Sequence, residues 1–361
     1  MNSAGEVLII GGGIIGLAIA LELRLRGAVV TVLSRDFAEA ATQAAAGMLA
    51  PQAEALPPGP MLDLCLRSRS LYPHWTSKIE ELTGLSTGYW PCGILAPVYE
   101  SSLELAHSHP PSLPDAPYEW LDQAAIHHHQ PGLGAEVMGG WWFPQDAQVD
   151  NRALVRALRT AVTKLGVTVE EGVSVTTIQQ QEGRVLGVRS PSGSWQADHY
   201  VLATGAWGKD LLPVPVYPKK GQMLSVQIPP ILIQRAAEGQ QLPNLPLKQV
   251  LFGSNSYIVP RQDGRIVIGA TSEDVGFTPA NTPTGVQALL HQAIRLYPVL
   301  QDFPIQELWW GFRPATPDQS PILGESPYEN LTLATGHYRN GILLAPVTAL
   351  LIANWILHRS S

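Results

Sequence analysis

The stretch EVLIIGGGIIGLAIALELRLRGAVVTVLSRD, residues 6–36, constrains the fold more than any other part of the chain. Glu6 to Ile10 is a short β-rich apolar run and predicts a strand. Glycines follow at 11, 13 and 16. A helical pattern then runs to Arg26, and Gly27 stops it as a helix C-cap does. Val29 to Leu33 predicts a second strand. The order strand, glycine turn, helix, strand is a βαβ unit.

Each glycine of that turn has a physical task. Gly11 allows the tight turn, Gly13 lets backbone approach a pyrophosphate, and Gly16 lets the helix pack close to the strand. N–H groups at the helix start then face phosphate. The bland alternative is a tight strand-to-helix turn with no ligand. The second strand ends Leu33-Ser34-Arg35-Asp36, with Ser34 where a ribose-binding acid is expected. Arg35 could meet a 2′-phosphate, or be a solvated strand-end residue. The turn alone leaves NAD, NADP and FAD open.

The rest of the chain alternates in character. Residues 88–142 are irregular and rich in Pro, His and Trp. A helix is predicted over 151–165 and another over 284–297. Strands are predicted at 167–169, 173–178, 185–188, 200–203, 220–228, 257–268, 306–312 and 331–334. This order fits an α/β nucleotide-binding domain built from separated segments and interrupted by a sheet-rich domain. With 361 residues, two domains are the expectation.

Bulk composition excludes some classes. The net charge of −7 gives no basic footprint for nucleic acid. The two cysteines, Cys65 and Cys92, form no CxxC and suit a reduced, cytoplasmic setting. Three consecutive histidines, His127 to His129, cannot all converge on one ion, so no metal is expected and the segment reads as a loop. No secretory leader pattern stands at the start. The final apolar run, Ile342 to Leu357, is shorter than a membrane span needs and reads as a buried core helix.

Two further motifs narrow the reading. Small residues crowd Thr42-Gln43-Ala44-Ala45-Ala46-Gly47-Met48-Leu49-Ala50-Pro51, so backbone can lie against a flat ring system. GHYRNGILLAP at 336–346 places a polar turn between two apolar runs. With LATGAW at 202–207, YIVPRQDGRIVIGAT at 257–271 and GFRPATPD at 311–318, these motifs resemble the D-amino-acid oxidase family over nearly the whole chain. Within that family they are most similar to the glycine oxidases of thiamine biosynthesis.

The resemblance implies an α/β fold with a Rossmann-like FAD-binding domain and an antiparallel-sheet substrate domain. The flavin domain would comprise 1–85, 146–217 and 309–361, and the substrate domain 86–145 and 218–308. FAD would be bound non-covalently. Beside the glycine turn, Ile14 and Ile15 match positions at the pyrophosphate. Ser34 and Arg35 match the ribose site, with Thr42 and Gln43 nearby. Ala46, Gly47 and Met48 match positions along the flavin, and Val175 the contact to adenine. Gly336, His337, Tyr338, Arg339, Asn340, Gly341, Ile342 and Leu343 match the loop under the flavin pyrimidine. Ser272 stands where a bulkier apolar residue lines the family's substrate pocket.

The chemistry implied is oxidation of glycine, with sarcosine and small D-amino acids as further candidates, to an imine. Electrons would pass to O2, giving H2O2. Arginine can hold a carboxylate with two parallel bonds. Arg313 is the candidate, with a salt bridge to Asp318 as its alternative role. Tyr257 would give a hydroxyl to the same carboxylate, and Arg339 would add a full positive charge near flavin and substrate. No obligatory catalytic acid or base is expected, because no His or Glu in the matched motifs stands beside Arg313 and Tyr257. A functional link to a thiazole synthase is implied, and homo-oligomerisation is left open. Two other readings stay open: a dehydrogenase serving a quinone, and a flavin-binding partner protein with little turnover.

Overall fold

The computed structural model describes residues 5–102, 106, 117–237 and 247–359. The part of the irregular stretch at 103–105 and 107–116 lies outside the described residues. The βαβ unit forms as the sequence predicts, with strands Glu6–Ile10 and Val29–Ser34 around helix Ile14–Leu25. Gly27 follows that helix with φ of 91°, and Ala28 N–H returns to Leu23 O at 3.1 Å. Strands Glu6–Ile10 and Val29–Ser34 are central in a six-stranded sheet. Strands Thr168–Glu171, His199–Leu202 and Leu331–Thr335 extend it in parallel, and Ile322–Glu325 closes one edge antiparallel. Both polar turns, after Ile10 and after Thr335, therefore leave the same carboxyl edge of the sheet, where open α/β sheets bind ligands.

The second large sheet has eight strands. In spatial order they are Ile305–Ala315, Tyr217–Gln227, Arg265–Gly269, Tyr257–Pro260, Val250–Phe252, Ile94–Tyr99, Val137–Phe143 and Glu119–Asp122. Every pairing is antiparallel except Val250–Phe252 with Ile94–Tyr99, which is parallel. Strand Ile305–Ala315 pairs along its length with Tyr217–Gln227, so a domain boundary at 308/309 would cut one continuous strand. Helix Pro283–Leu296 buries Leu289, Ala293 and Leu296 in a core with Leu224, Ile258 and Ile268 of this sheet.

Three local expectations change. The strand predicted at 257–268 is a hairpin of two strands, Tyr257–Pro260 and Arg265–Gly269, broken by the turn that contains Gly264. Residues 173–176 are not a strand; strand begins at Thr177. Val173 N–H is spent on Ser34 O at 3.0 Å, which bends the segment across the end of the six-stranded sheet. His127 to His129 form the last turn of a short helix, Gln123–His129, capped by Asp122. Their rings diverge: His127 Nε2 lies 3.1 Å from Val137 O, while His129 packs on Trp142 with centroids 4.6 Å apart.

The last helix, Gly341–Arg359, is longer than the apolar run suggests. By length and composition alone it could cross a membrane, yet 61% of its 18-residue apolar window is buried inside the protein. Its apolar residues, including Leu344, Val347 and Ile352, share one core with helix Ile14–Leu25. Pro346 sits inside the helix and offers no N–H to the carbonyl of Ile342. The hydroxyl of Tyr72 donates to that carbonyl instead. One turn away, Ser68 Oγ donates to Leu343 O at 2.6 Å. Both donors come from helix Pro60–Thr83, which thereby fixes the start of the last helix.

Candidate active site

One cavity of about 890 Å³ runs between the two sheets, near the top of the range for ligand pockets, roughly 300–1,000 Å³. Its first end is the glycine turn. Gly11 has φ of +122°, and a Cβ there would meet Ala203 O at 2.2 Å. A Cβ on Gly16 would meet Gly11 O at 1.9 Å, so this glycine serves close packing and does not line the cavity. Gly13 differs, because a Cβ there would meet only Thr42 Oγ1, at 3.7 Å. Its open side faces the cavity, as close approach of a pyrophosphate requires. Ile14 and Ile15 line the cavity as expected, although the Ile14 N–H is already taken by Thr42 Oγ1 at 3.0 Å.

Ser34, Arg35 and Val175 line the same end. Ser34 is buried, while Arg35 pairs with Glu39 and lies 4.3 Å over the Trp207 ring. Acids do reach this end: Asp36 and Glu39 both line it, just beyond the position that Ser34 occupies. Thr204 also lines it, and its buried Oγ1 has no hydrogen-bond partner among the described residues. A hydroxyl waiting for a partner, an open glycine turn and an elongated cavity fit a dinucleotide.

The middle of the cavity is walled by Ala46, Gly47 and Met48 on one side and the turn after Thr335 on the other. Arg261 fixes the first wall from the eight-stranded sheet. Its Nη2 donates to Ala46 O at 2.7 Å and its Nη1 to Gln148 Oε1 at 2.6 Å. Gln43 stands behind this wall, its carbonyl accepting from Asn151 Nδ2 at 3.2 Å, and does not line the cavity. In the opposite turn Gly336 has φ of +74° and Tyr338 φ of 48°, a left-handed pair that reverses the chain sharply. Tyr338 N–H donates to Pro314 O at 2.9 Å, which ties the turn to the strand carrying Arg313. His337 is buried with Nε2 3.1 Å from Thr348 Oγ1, and burial pushes its pKa down to about 3, so the ring is neutral. His337, Tyr338, Arg339, Gly341 and Ile342 reach the cavity, whereas Gly336, Asn340 and Leu343 support it from behind.

The far end holds Tyr257, Arg313, Ser272 and Arg339 together. Arg313 makes no bridge to Asp318. Its Nη1 donates to Thr271 O at 3.1 Å and Lys220 O at 3.4 Å, so the backbone aims the guanidinium, and among the described residues no carboxylate forms a salt bridge with it. Two glycines make the room. A Cβ on Gly221 would stand 2.4 Å from Arg313 Nη1, and one on Gly269 would stand 2.5 Å from the Tyr257 ring. Burial raises the Tyr257 pKa, and the adjacent Arg313, by charge and hydrogen bond, pulls the other way.

Glu54 is the residue that the sequence motifs missed. It lines the cavity, and its Oε2 lies 2.8 Å from Arg339 Nε. Arg339 therefore does not bring a full uncompensated charge. Burial pushes the Glu54 carboxyl above its usual range, while Arg339 and, more weakly, Arg313 draw it back. An acid thus stands near Arg313 and Tyr257 after all. It comes from the residues just past the small-residue run that ends at Pro51.

Comparison with known proteins agrees with this geometry. A family model described as FAD dependent oxidoreductase (DAO) matches residues 6–355. A bifunctional protein ThiO/ThiG of Trichormus variabilis is 62% identical over 356 residues, covering 99% of this chain and 53% of the relative, so the chain spans about half that relative's length. A glycine oxidase of Bacillus licheniformis is 32% identical over 99% of this chain and 94% of its own. The crystal structure of glycine oxidase from Geobacillus kaustophilus superposes with a TM-score of 0.90 at 33% identity, covering 98% of this chain and 95% of that one. The chain belongs to the DAO family of FAD-dependent oxidoreductases.

Proposed function

We propose that this chain oxidises glycine, and with it sarcosine and small D-amino acids, to the imine, with O2 as electron acceptor and H2O2 as product. The observation that carries the reading is one continuous cavity joining the dinucleotide cradle at Gly11–Gly13 to the guanidinium of Arg313. Support also comes from the glycine oxidases it resembles over nearly its whole length. FAD, when bound, supplies the hydride acceptor and its reoxidation by oxygen.

The protein's own part is positioning and electrostatics. Arg313 holds the substrate carboxylate through its fork, and Tyr257 adds a hydroxyl to the same group. The wall at Ala46–Met48 and the turn at His337–Gly341 confine the ring system between them, so a substrate held at Arg313 presents its Cα–H to one face. The amine arrives neutral or loses its proton to water. In this reading no protein side chain is an obligatory base.

Support for a link to a thiazole synthase comes from the relative's name, ThiO/ThiG, and we propose that the imine feeds assembly of the thiazole of thiamine. Two free cysteines, Cys65 and Cys92, favour a reducing, cytoplasmic setting. We also assign the flavin-binding body to the segments around the six-stranded sheet and the substrate-binding body to those around the eight-stranded sheet, with Arg313 on the strand that links them.

The test is anaerobic mixing of the FAD-loaded protein with glycine, sarcosine, D-alanine or D-proline, followed by air. Bleaching by glycine, then rapid recolouring with peroxide, is the expected result. Bleaching without rapid recolouring would favour a dehydrogenase serving a quinone. No bleaching by any amine would leave a flavin-binding partner protein.

A further inference from the structure

The substrate end of the cavity holds two guanidinium groups in different electrostatic states. Arg313 is held by two backbone carbonyls and by Tyr257, and it forms no salt bridge among the described residues. Arg339 enters from the turn opposite, with its side chain 41% exposed, and its charge is met by Glu54 at 2.8 Å. The Glu54 side chain is only 10% exposed, a costly place for a carboxylate.

Glu54 does not reach this place by a chance rotamer. The backbone just before it is braced: Gln52 N–H and Ala53 N–H both donate to Asp146 Oδ2, at 3.2 and 2.8 Å. Asp146 is itself buried and bound to Arg69. Glu54 N–H returns to Ala50 O at 3.0 Å. A rigid support thus delivers a carboxylate to a cavity whose substrate needs only one cationic anchor.

We propose that Glu54 is a charge filter for substrate specificity: by compensating Arg339 it closes the site to amines that carry a second carboxylate. This rests on the amino-acid oxidase reading above. Bulk at position 272 does not do the excluding, because the side chain that lines the wall there is only a serine. A dicarboxylic amine anchored at Arg313 brings its second carboxylate toward a cation that is already neutralised and a carboxylate that repels it. With Glu54 neutral, Arg339 becomes a second anion anchor.

The test compares wild type with Glu54→Gln as FAD-loaded proteins. The ratio of kcat/KM for iminodiacetate to that for glycine should rise at least about 10-fold in Glu54→Gln, about 1.4 kcal/mol. Binding without turnover is read from perturbation of the flavin spectrum by diglycolate, the oxygen analogue of iminodiacetate, against acetate. The diglycolate-to-acetate affinity ratio should rise by a similar factor. Glu54→Met is the second variant, and the same rise is expected from it. A rise confined to Gln would show amide hydrogen bonding in place of charge and would overturn the proposal, as would no rise in either. In wild type, diglycolate binding tighter than acetate overturns it without any variant. Should glycine fail to bleach every form, the oxidase reading fails, while the diglycolate titrations still decide the filter.

Discussion

Arg313 occupies the end of the cavity only because residue 221 has no side chain: a Cβ on Gly221 would lie 2.4 Å from Arg313 Nη1 and 2.5 Å from Nη2. The two residues lie diagonally on neighbouring strands, Arg313 paired with Lys219 and Gly221 with Gly311. The proposed carboxylate anchor is thus set by a strand pairing, not by a loop.

Gly221→Ala should swing the guanidinium out of line without unfolding the protein, since the clashing atoms are the end of a flexible side chain. A misaligned charged hydrogen bond forfeits about 1.5–3 kcal/mol, so KM for glycine should rise roughly 10- to 100-fold. FAD content should be unchanged. Steady-state kinetics with a flavin absorbance ratio checks both halves; an unchanged KM would show that Arg313 does not hold the carboxylate from this position.

Gly341→Val should loosen FAD while sparing the fold. A Cβ at this residue would meet only His337 Cβ, at 3.7 Å, so the side chain fits the protein but enters the cavity. The expected result is a mostly colourless protein with native circular dichroism. Full flavin content in that variant would place the turn away from the cofactor.

Much of this arrangement was legible in sequence, and the exceptions have physical causes. The βαβ unit was readable because its periods of 2 and 3.6 are undisturbed and Gly27 marks the stop. Arg313, Tyr257 and the 336–342 turn were readable because each sits in a motif. Glu54 was not, since its role depends on Arg339, far along the chain, and on a brace from Asp146. Tyr72 was invisible for a similar reason: its partner is a carbonyl orphaned by Pro346. Residues 173–176 have strand-like composition, but a single bond from Val173 to Ser34 takes them out of the ladder. A domain boundary at 308/309 divides the strand that runs from Ile305 to Ala315, whose length no motif marks.

Tyr72→Phe removes the side-chain donor that replaces the missing Pro346 N–H. It leaves Ile342 O buried and unbonded, which costs about 1–3 kcal/mol. Chemical denaturation should show that loss. A Tyr72→Phe protein as stable as wild type would mean that water or a shifted helix satisfies the carbonyl.

His337 makes stability depend on acid. Its pKa falls from the ordinary 6.5 to about 3 in the fold because burial disfavours the charged ring. The unfolded chain therefore binds the proton first, so the contribution is fully present above about pH 6.5 and declines as pH falls toward 3. From about pH 7 to about pH 5 the loss from this group alone is about 2 kcal/mol. Asp146 and Glu54, whose pKa values burial raises, act with the opposite sign over part of this range. The prediction is therefore a difference: wild type should lose about 2 kcal/mol more than His337→Gln over that interval. Parallel stability curves for the two proteins would contradict a neutral buried ring.

The most direct test of the central claim is the kinetics of Arg313→Met beside Arg313→Lys, on glycine and on an amine without a carboxylate. Methionine keeps the volume and removes both charge and fork, and loss of one partner of a desolvated charge pair costs about 2–5 kcal/mol. The account predicts that kcat/KM for glycine falls roughly 30- to 5,000-fold in Arg313→Met, with the flavin spectrum intact. Arg313→Lys should restore only part of that, because a point charge cannot form two parallel bonds. The amine should be affected far less. Equal losses on both substrates would contradict the account and make Arg313 a support of the fold or the flavin.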